Sequence, residues 1–326
     1  LRVEPAHQLI FGSLSRKFFT VIVSSHKIQY KEVMTHKAGF VNIIGNPNVG
    51  KSTLSNELIG ERLSIITSKA QTTRHRIFGI VNKDDYQIVF SDTPGVLQPK
   101  YKLQESMLHF SKSALSDADI LLYITDTVET PDKNNEFLEL VKKSDIPVLL
   151  VINKIDLIQQ KELEDLVDFW KKEIPRAEIY PMSALHKFNI QNLYDRIVEL
   201  LPESPPFFDK DALTDKPERF FISEIIREKI LLNYQKEIPY SVEIEVQEFK
   251  EGPKRTDIRA VIHVSRDSQK GIIIGHQGKA LKKLGIDSRK EIELFLGKQV
   301  YLELYVKVSK DWRDQDNFLK NFGYEK

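Results

Sequence analysis

Cysteine is absent from all 326 residues. That excludes a disulfide scaffold, a thiolate-ligated zinc or iron–sulfur centre, and thiol catalysis. A surplus of one charge is missing too. Lys and Arg total 48 against 47 Asp and Glu, for a net +1. Any surface for nucleic acid must therefore be local. No apolar run approaches the roughly 18 residues that a membrane-spanning helix needs. Histidines such as His75, His186 and His263 are scattered and make no metal-binding spacing. What is present is 41% hydrophobic and 29% charged residues, a mixture that can bury a sizeable core. At roughly 150 residues per domain, the length implies about two domains.

The chain opens on Leu1, and its first methionine is Met34. Residues 1–37 read as an N-terminal extension, expected to be disordered or non-native upstream sequence, with the natural start at Met34. Arg16-Lys17 followed by Phe18–Val23 is too short an apolar core for a signal peptide.

From residue 38 the pattern alternates strand and helix. Phe40–Ile44, Gln87–Phe90, Ile120–Ile124, Val148–Ile152 and Ile179-Tyr180 are short apolar runs, each ending in polar residues. Continuous apolar runs indicate strands covered on both faces. Lys161–Lys171 and Ile190–Leu201 are amphipathic. The whole reads as a doubly wound, mostly parallel α/β sheet over residues 38–202, with polar residues at the carboxyl ends of the strands, where such sheets bind ligands. Pro202, Pro205 and Pro206 then break the rhythm. Residues 203–217 read as a linker. Residues 218–326 read as a smaller α+β domain of order α-β-β-α-α-β with a charged, partly helical tail.

Gly45-Asn46-Pro47-Asn48-Val49-Gly50-Lys51-Ser52 matches G-x-x-x-x-G-K-[ST], between a buried strand and a helix. Glycines let the backbone wrap a phosphate, and the amides and helix N-terminus, at Ser52 and Thr53, face the anion. Lys51 is expected on the β- and γ-phosphates and Ser52 on Mg²⁺. Asp92-Thr93-Pro94-Gly95 closes the next strand: Asp92 can hold Mg²⁺, and the Gly95 amide can sense the γ-phosphate. Asn153-Lys154-Ile155-Asp156 follows a third strand. The Asp156 carboxylate can accept both the N1 and N2 protons of guanine, a donor pair adenine lacks. Asn153 can bridge loops, Lys154 can cover the base, and Ser183-Ala184-Leu185 can contact the guanine carbonyl. Gly95 is followed by Val96, so no glutamine orients water there and intrinsic hydrolysis is expected to be slow.

Gly271 to Lys279 carries a second glycine loop, with Ile274-Gly275-His276-Gln277-Gly278 at its centre. Lys279, Lys282 and Lys283 fall at i, i+3 and i+4 beside it. Close backbone approach plus local positive charge suits a clamp on single-stranded RNA.

Residues 38–200 resemble a translation-factor-class P-loop GTPase domain. Gln71-Thr72-Thr73-Arg74-His75-Arg76 resembles the first switch of the Era and MnmE group. That resemblance implies Thr73 on Mg²⁺ in the GTP state, with Thr72 the neighbouring candidate. It implies a switch in which Lys51, Thr73 and Gly95 serve hydrolysis. It also implies a potassium ion near Asn48. The C-terminal order around G-x-x-G resembles a type II KH domain, although His276-Gln277 stands where lysine is more frequent. The two together, over about residues 38–315, resemble the Era family. This implies a GTP-dependent, monomeric small-subunit assembly factor that grips the 3′ end of 16S ribosomal RNA in the cytoplasm, with peripheral inner-membrane association. The rival reading is a constitutive RNA-binding assembly chaperone with guanine nucleotide as a structural ligand.

Overall fold

The structure, a computed structural model, describes residues 36–69, 71–128 and 135–324. Residues 1–35, nearly all of the segment read as an extension, lie outside them. The described residues belong to one compact unit that holds two sheets.

The first sheet runs β2-β3-β1-β4-β5-β6. Its strands are β1 Lys37–Gly45, β2 Ile77–Asn82, β3 Tyr86–Asp92, β4 Ile120–Asp126, β5 Val148–Asn153 and β6 Glu178–Pro181. All pairs are parallel except β2 with β3. The helices between them are α1 Lys51–Ile59, α2 Lys102–Ser116, α3 Asn135–Lys143, α4 Gln160–Glu173 and α5 Ile190–Leu200. The unbroken apolar runs have a direct cause. Alternate side chains of a strand point to opposite faces, and here both faces are covered. Ile120, Leu122 and Ile124 join the core with Leu54, Leu193 and Ile197. Leu121 and Tyr123 join the opposite core with Val141 and Trp170.

Strand β2 is not among the strands expected from sequence. Gly79 interrupts its apolar run, and the structure gives the reason: a Cβ there would sit 2.1 Å from Ile59 Cδ1. The strand is held from both sides. Residues 203–217 are no free tether, because they pair with its outer edge. Ile80 N–H donates to Leu213 O at 2.8 Å and Phe78 N–H to Asp215 Oδ1 at 2.9 Å. The Gln87 side chain of β3 fastens Phe207 and Phe208 of the same segment.

The second sheet runs β7-β8-β9, with β7 Val242–Glu251 antiparallel to β8 Arg255–Val264 and β8 parallel to β9 Gln299–Val308. Its helices are α6 Glu218–Asn233, the short α7 Ile238–Ser241, α8 Asp267–Ile274 and α9 Lys279–Leu296. Ile222, Ile226 and Ile230, one face of α6, pack with Ile244, Ile262, Ile273 and Ile292. The tail ends in α10 Asp316–Asn321. It departs from the expected charged appendage. Trp312, Leu319 and Tyr324 are buried against Leu103 and Met107 of α2. The Trp312 ring seats on α2 while its N–H donates to Ser241 O at 3.0 Å.

Candidate nucleotide and RNA sites

The first sheet delivers its polar residues to one edge. Strand β1 ends at Gly45, where φ is +150°, and a Cβ would lie 2.1 Å from Ile124 O. Asn48 and Gly50 also have positive φ. A Cβ at Gly50 would strike Asn153 Nδ2 at 2.2 Å. The loop thus needs glycine at both ends for contact, not only for flexibility. Lys51, the first residue of α1, is buried and donates to Gly45 O at 3.1 Å and Asn46 O at 2.8 Å. Its ammonium lies across the mouth of the loop, where a phosphate would be cradled. Val49 is core, while Pro47, Asn48, Gly50, Ser52 and Thr53 line a cavity of about 390 Å³ with Thr72, Thr73, Gly95 and Lys154.

Three oxygen donors converge beside it. Ser52 Oγ lies 2.8 Å from Thr73 Oγ1, and Thr73 Oγ1 donates to Asp92 Oδ2 at 3.4 Å. Adjacent oxygens on an octahedral Mg²⁺, with bonds near ~2.1 Å, lie about 3 Å apart. Asp92 is buried, and its Oδ1 has no hydrogen-bond partner. Burial pushes its carboxyl above the usual range, although Ser64, Lys51, Ser52 and Thr73 pull the other way. A hard, all-oxygen set around an under-satisfied carboxylate fits Mg²⁺. Thr72 does not join it. Its hydroxyl is engaged with Thr67 Oγ1 at 2.9 Å and Lys69 O at 2.5 Å. The turn of the loop thus brings Thr73, and not Thr72, beside Ser52 and Asp92. A Cβ at Gly95 would meet Pro47 at 2.8 Å, so Gly95 is the residue that lets the D-x-x-G segment approach the phosphate loop.

Asn153 ties three loops. Its Nδ2 donates to Val49 O at 2.8 Å, and its Oδ1 accepts from Ala184 N at 2.9 Å. Lys154, at positive φ, reaches Asn48 O at 2.6 Å and Asp126 Oδ2 at 2.5 Å. Asp126, at the end of β4, was not among the expected site residues; a polar strand end without a motif gave no signal. Asp156 is exposed and accepts from Ser183 Oγ at 2.6 Å. That bond aims its carboxylate. Leu185 is exposed on the same loop.

In the second domain, Ile274 ends α8, Gly275 stands at φ +70°, Gln277 at +51°, and Gly278 at +74° caps α9. A Cβ at Gly275 would lie 2.6 Å from Ala280 Cβ. His276 and Gln277 are exposed at the turn between the glycines. Beside it lies a groove of about 400 Å³ between α9 and β9. Gly278, Leu281, Lys282, Gly285, Ile286, Arg289, Leu302 and Leu304 line it. Of the three lysines, only Lys282 lines the groove; Lys279 and Lys283 are exposed outside it. The apolar groove floor was not expected from sequence; Arg289 belongs to the basic run that follows the glycine loop. The available signal was Gly285, a mid-helix glycine with an exposed Ile286 beside it.

Residues 40–154 match the family model of the 50S ribosome-binding GTPases, and residues 237–313 match that of the KH domain. A crystal structure of Aquifex aeolicus Era, a tyrosine-to-alanine variant bound to GDP and AlF4⁻, is 42% identical at a TM-score of 0.85. It covers 89% of this chain and 100% of its own. The chain belongs to the Era family of GTPases. A structure of Era in complex with MgGDPNP and nucleotides 1506–1542 of 16S ribosomal RNA matches with the same identity, coverage and score. Membership makes the chain a GTP-hydrolysing enzyme that uses GTP or GDP with Mg²⁺, on a P-loop GTPase domain followed by a KH domain.

In this Era-family chain the first switch and the KH domain touch directly. Arg74 is buried; its guanidinium donates to Val242 O at 2.7 Å and Pro239 O at 3.1 Å, and pairs with Glu243 at 3.1 Å. Lys69 donates to the carbonyls of Leu231 and Tyr234. His75 stacks on Tyr324 with ring centres 4.2 Å apart. Arg74 and His75 sit inside the switch motif and Lys69 just before it, but their partners are over 150 residues away, so the motif alone could not reveal them.

Proposed function

We propose that the chain is a GTP-driven switch of small ribosomal subunit assembly that grips the 3′ end of 16S ribosomal RNA with its KH groove. The observation that carries this is the 42% identical relative of the same architecture, solved with MgGDPNP and that RNA segment. The groove supports it chemically. An apolar floor of Leu281, Ile286, Leu302 and Leu304 suits unstacked bases, and Lys282, Arg289 and the two-glycine turn suit the backbone. With no lysine between the two glycines, fewer phosphates are neutralised, so binding falls less steeply with salt.

Ser52 and Thr73 are the residues that would hold Mg²⁺ directly, with Asp92 behind them. The ion neutralises charge that develops on the β- and γ-phosphate oxygens. Lys51 adds a fixed positive charge in a pocket where water is displaced. Asp156 selects guanine, and Ser183 and Asn153 hold its loop. Val96 follows Gly95, so that position offers no side-chain amide to orient the attacking water. Asn48 would help hold a potassium ion, which would supply positive charge beside the phosphates; equal turnover in KCl and NaCl would remove this reading. Action is in the cytoplasm, where subunits assemble, as a monomer.

The test is binding of a labelled 16S 3′-end oligonucleotide with GDP and with a non-hydrolysable GTP analogue. A preference of about tenfold for the GTP form, or ~1.4 kcal/mol of coupling, supports the switch. Equal binding would favour the constitutive chaperone. Failure to bind in either form would remove the RNA reading.

A further inference from the structure

Thr73, one of the two hydroxyls poised for the magnesium ion, is held on both sides by arginines that bridge to the KH domain. On its N-terminal side, Arg227 of α6 donates to Thr72 O and, at 3.4 Å, to Gln71 O. The same guanidinium is braced by Glu224 on its own helix, at 2.7 Å and 2.5 Å. On the other side, Arg74 reaches out to Pro239 O, Val242 O and Glu243. Glu243 in turn accepts from Tyr324 OH at 2.7 Å. Both arginines are buried, each 1% exposed.

We propose that Arg227 and Arg74 are positioning residues for hydrolysis: together they fix the backbone of residues 71–74 so that Thr73 Oγ1 faces Ser52 and Asp92. The inference rests on the GTPase reading above and deepens it. Three features separate this from ordinary domain adhesion. Arg227 binds backbone carbonyls of the switch and no switch side chain, so it sets the path of the chain. A planar fork with several donors can hold two successive carbonyls, which a lysine ammonium cannot do in one fixed geometry. And the ion pairs of Arg62 with Glu228 and Glu291, and of Lys102 with Asp316, join side chain to side chain and touch no carbonyl of residues 71–74. Holding Gln71 and Thr72 by their carbonyls and Arg74 by its side chain narrows the paths open to Thr73, and β-branching restricts its χ1. The KH domain is thus part of the scaffold of the magnesium site.

The test uses the full chain. Arg227→Lys and Arg74→Lys keep the buried positive charge, so the fold survives with Glu224 and Glu243 still paired. Lys102→Ala, which breaks an exposed ion pair between the domains, is the control. The first readout is the Mg²⁺ concentration needed to slow release of a fluorescent non-hydrolysable GTP analogue; the second is hydrogen exchange at the amides of residues 71–74. Each lysine variant is expected to raise the Mg²⁺ requirement by about fivefold or more with the GTP analogue and not with GDP, in the range of ordinary coupling energies. Exchange at 71–74 rises alongside, and Lys102→Ala matches wild type. In the Thr73→Ala background the arginine changes should add nothing, because their effect passes through Thr73. Additive effects, or an unchanged Mg²⁺ requirement in both lysine variants, would overturn the proposal. A Thr73→Ala chain with wild-type Mg²⁺ dependence would overturn it too. Hydrolysis of GTP by the wild-type chain in the same preparation reports separately on the function reading.

Discussion

At the scale of single residues, Asp156 and His75 make the sharpest predictions. Asp156 is exposed, accepts from Ser183 Oγ and lies 3.8 Å from His186 Nε2, so Asp156→Asn should leave the fold intact while reversing one hydrogen-bond polarity. Xanthine nucleotide should then outcompete guanine nucleotide. GTP affinity should drop about 100-fold or more, as for a site left with a mismatched polar partner. Competition of GTP and XTP against a fluorescent nucleotide measures it; unchanged preference would remove Asp156 from the base site. His75 is enclosed by Tyr324, Phe220 and Phe110. Burial first, then Arg227, Lys216 and Arg74, lowers its pKa to about 3. The folded chain therefore keeps His75 neutral where the unfolded chain, with a pKa near ~6.5, takes a proton. Above that value there is no difference. As pH falls from there toward about 3, stability is lost at up to ~1.4 kcal/mol per pH unit. Urea midpoints of the wild type and His75→Phe at about pH 7.5 and about pH 5.5 test this linkage. The variant should show the shallower loss, and identical losses would contradict it.

At the scale of elements, α9 carries both the glycine loop and the groove wall. A Cβ at Gly285 would lie 3.7 Å from Leu304 Cδ1, an ordinary contact. Gly285→Ala should therefore be tolerated and even gain about 1 kcal/mol of helix propensity. Gly285→Glu fills the groove with a charge that repels phosphate. It should weaken RNA binding about tenfold or more, through lost contacts and repulsion, and leave GTP hydrolysis without RNA unchanged. Filter binding and phosphate release measure the two. Loss of hydrolysis alone, with RNA binding kept, would mean that the groove is not the RNA site. Strand β2 is the opposite case, an element whose existence depends on its neighbours. Its outer edge is sealed by residues 212–215 of the connecting segment, which also removes an open strand edge from solvent.

At the scale of the molecule, the tail decides how the two sheets are joined. Trp312 is fully buried between α2 and the start of β7, and Phe322 stacks edge-on against it at 5.6 Å. Trp312→Ala should cost about 3–5 kcal/mol. Because the ring bridges the halves, their unfolding should separate into two transitions by calorimetry. A single transition with an unchanged midpoint would show that the tail contributes little. The same junction brings Lys69, Arg74 and His75 onto α6, the turn into β7 and the tail.

Much of this was legible in the chain because it is local. The phosphate loop, Asp92–Gly95, Asn153–Asp156 and Gly275–Gly278 are contiguous stretches whose chemistry follows from residue type and spacing, and the apolar runs before them announce a sheet covered on both faces. These the sequence determined by itself. Tertiary structure decided what contiguity cannot encode. It set Thr73 and not Thr72 beside Ser52, gave Lys154 its partner Asp126, built the groove from α9 and β9, and turned a charged tail into a buried wedge. It also set Arg227 against the carbonyl of Thr72, 155 positions away. The physical reason is the same each time: a hydrogen bond or a packed ring is satisfied by whatever lies within a few ångströms in space, and only folding brings distant segments that close.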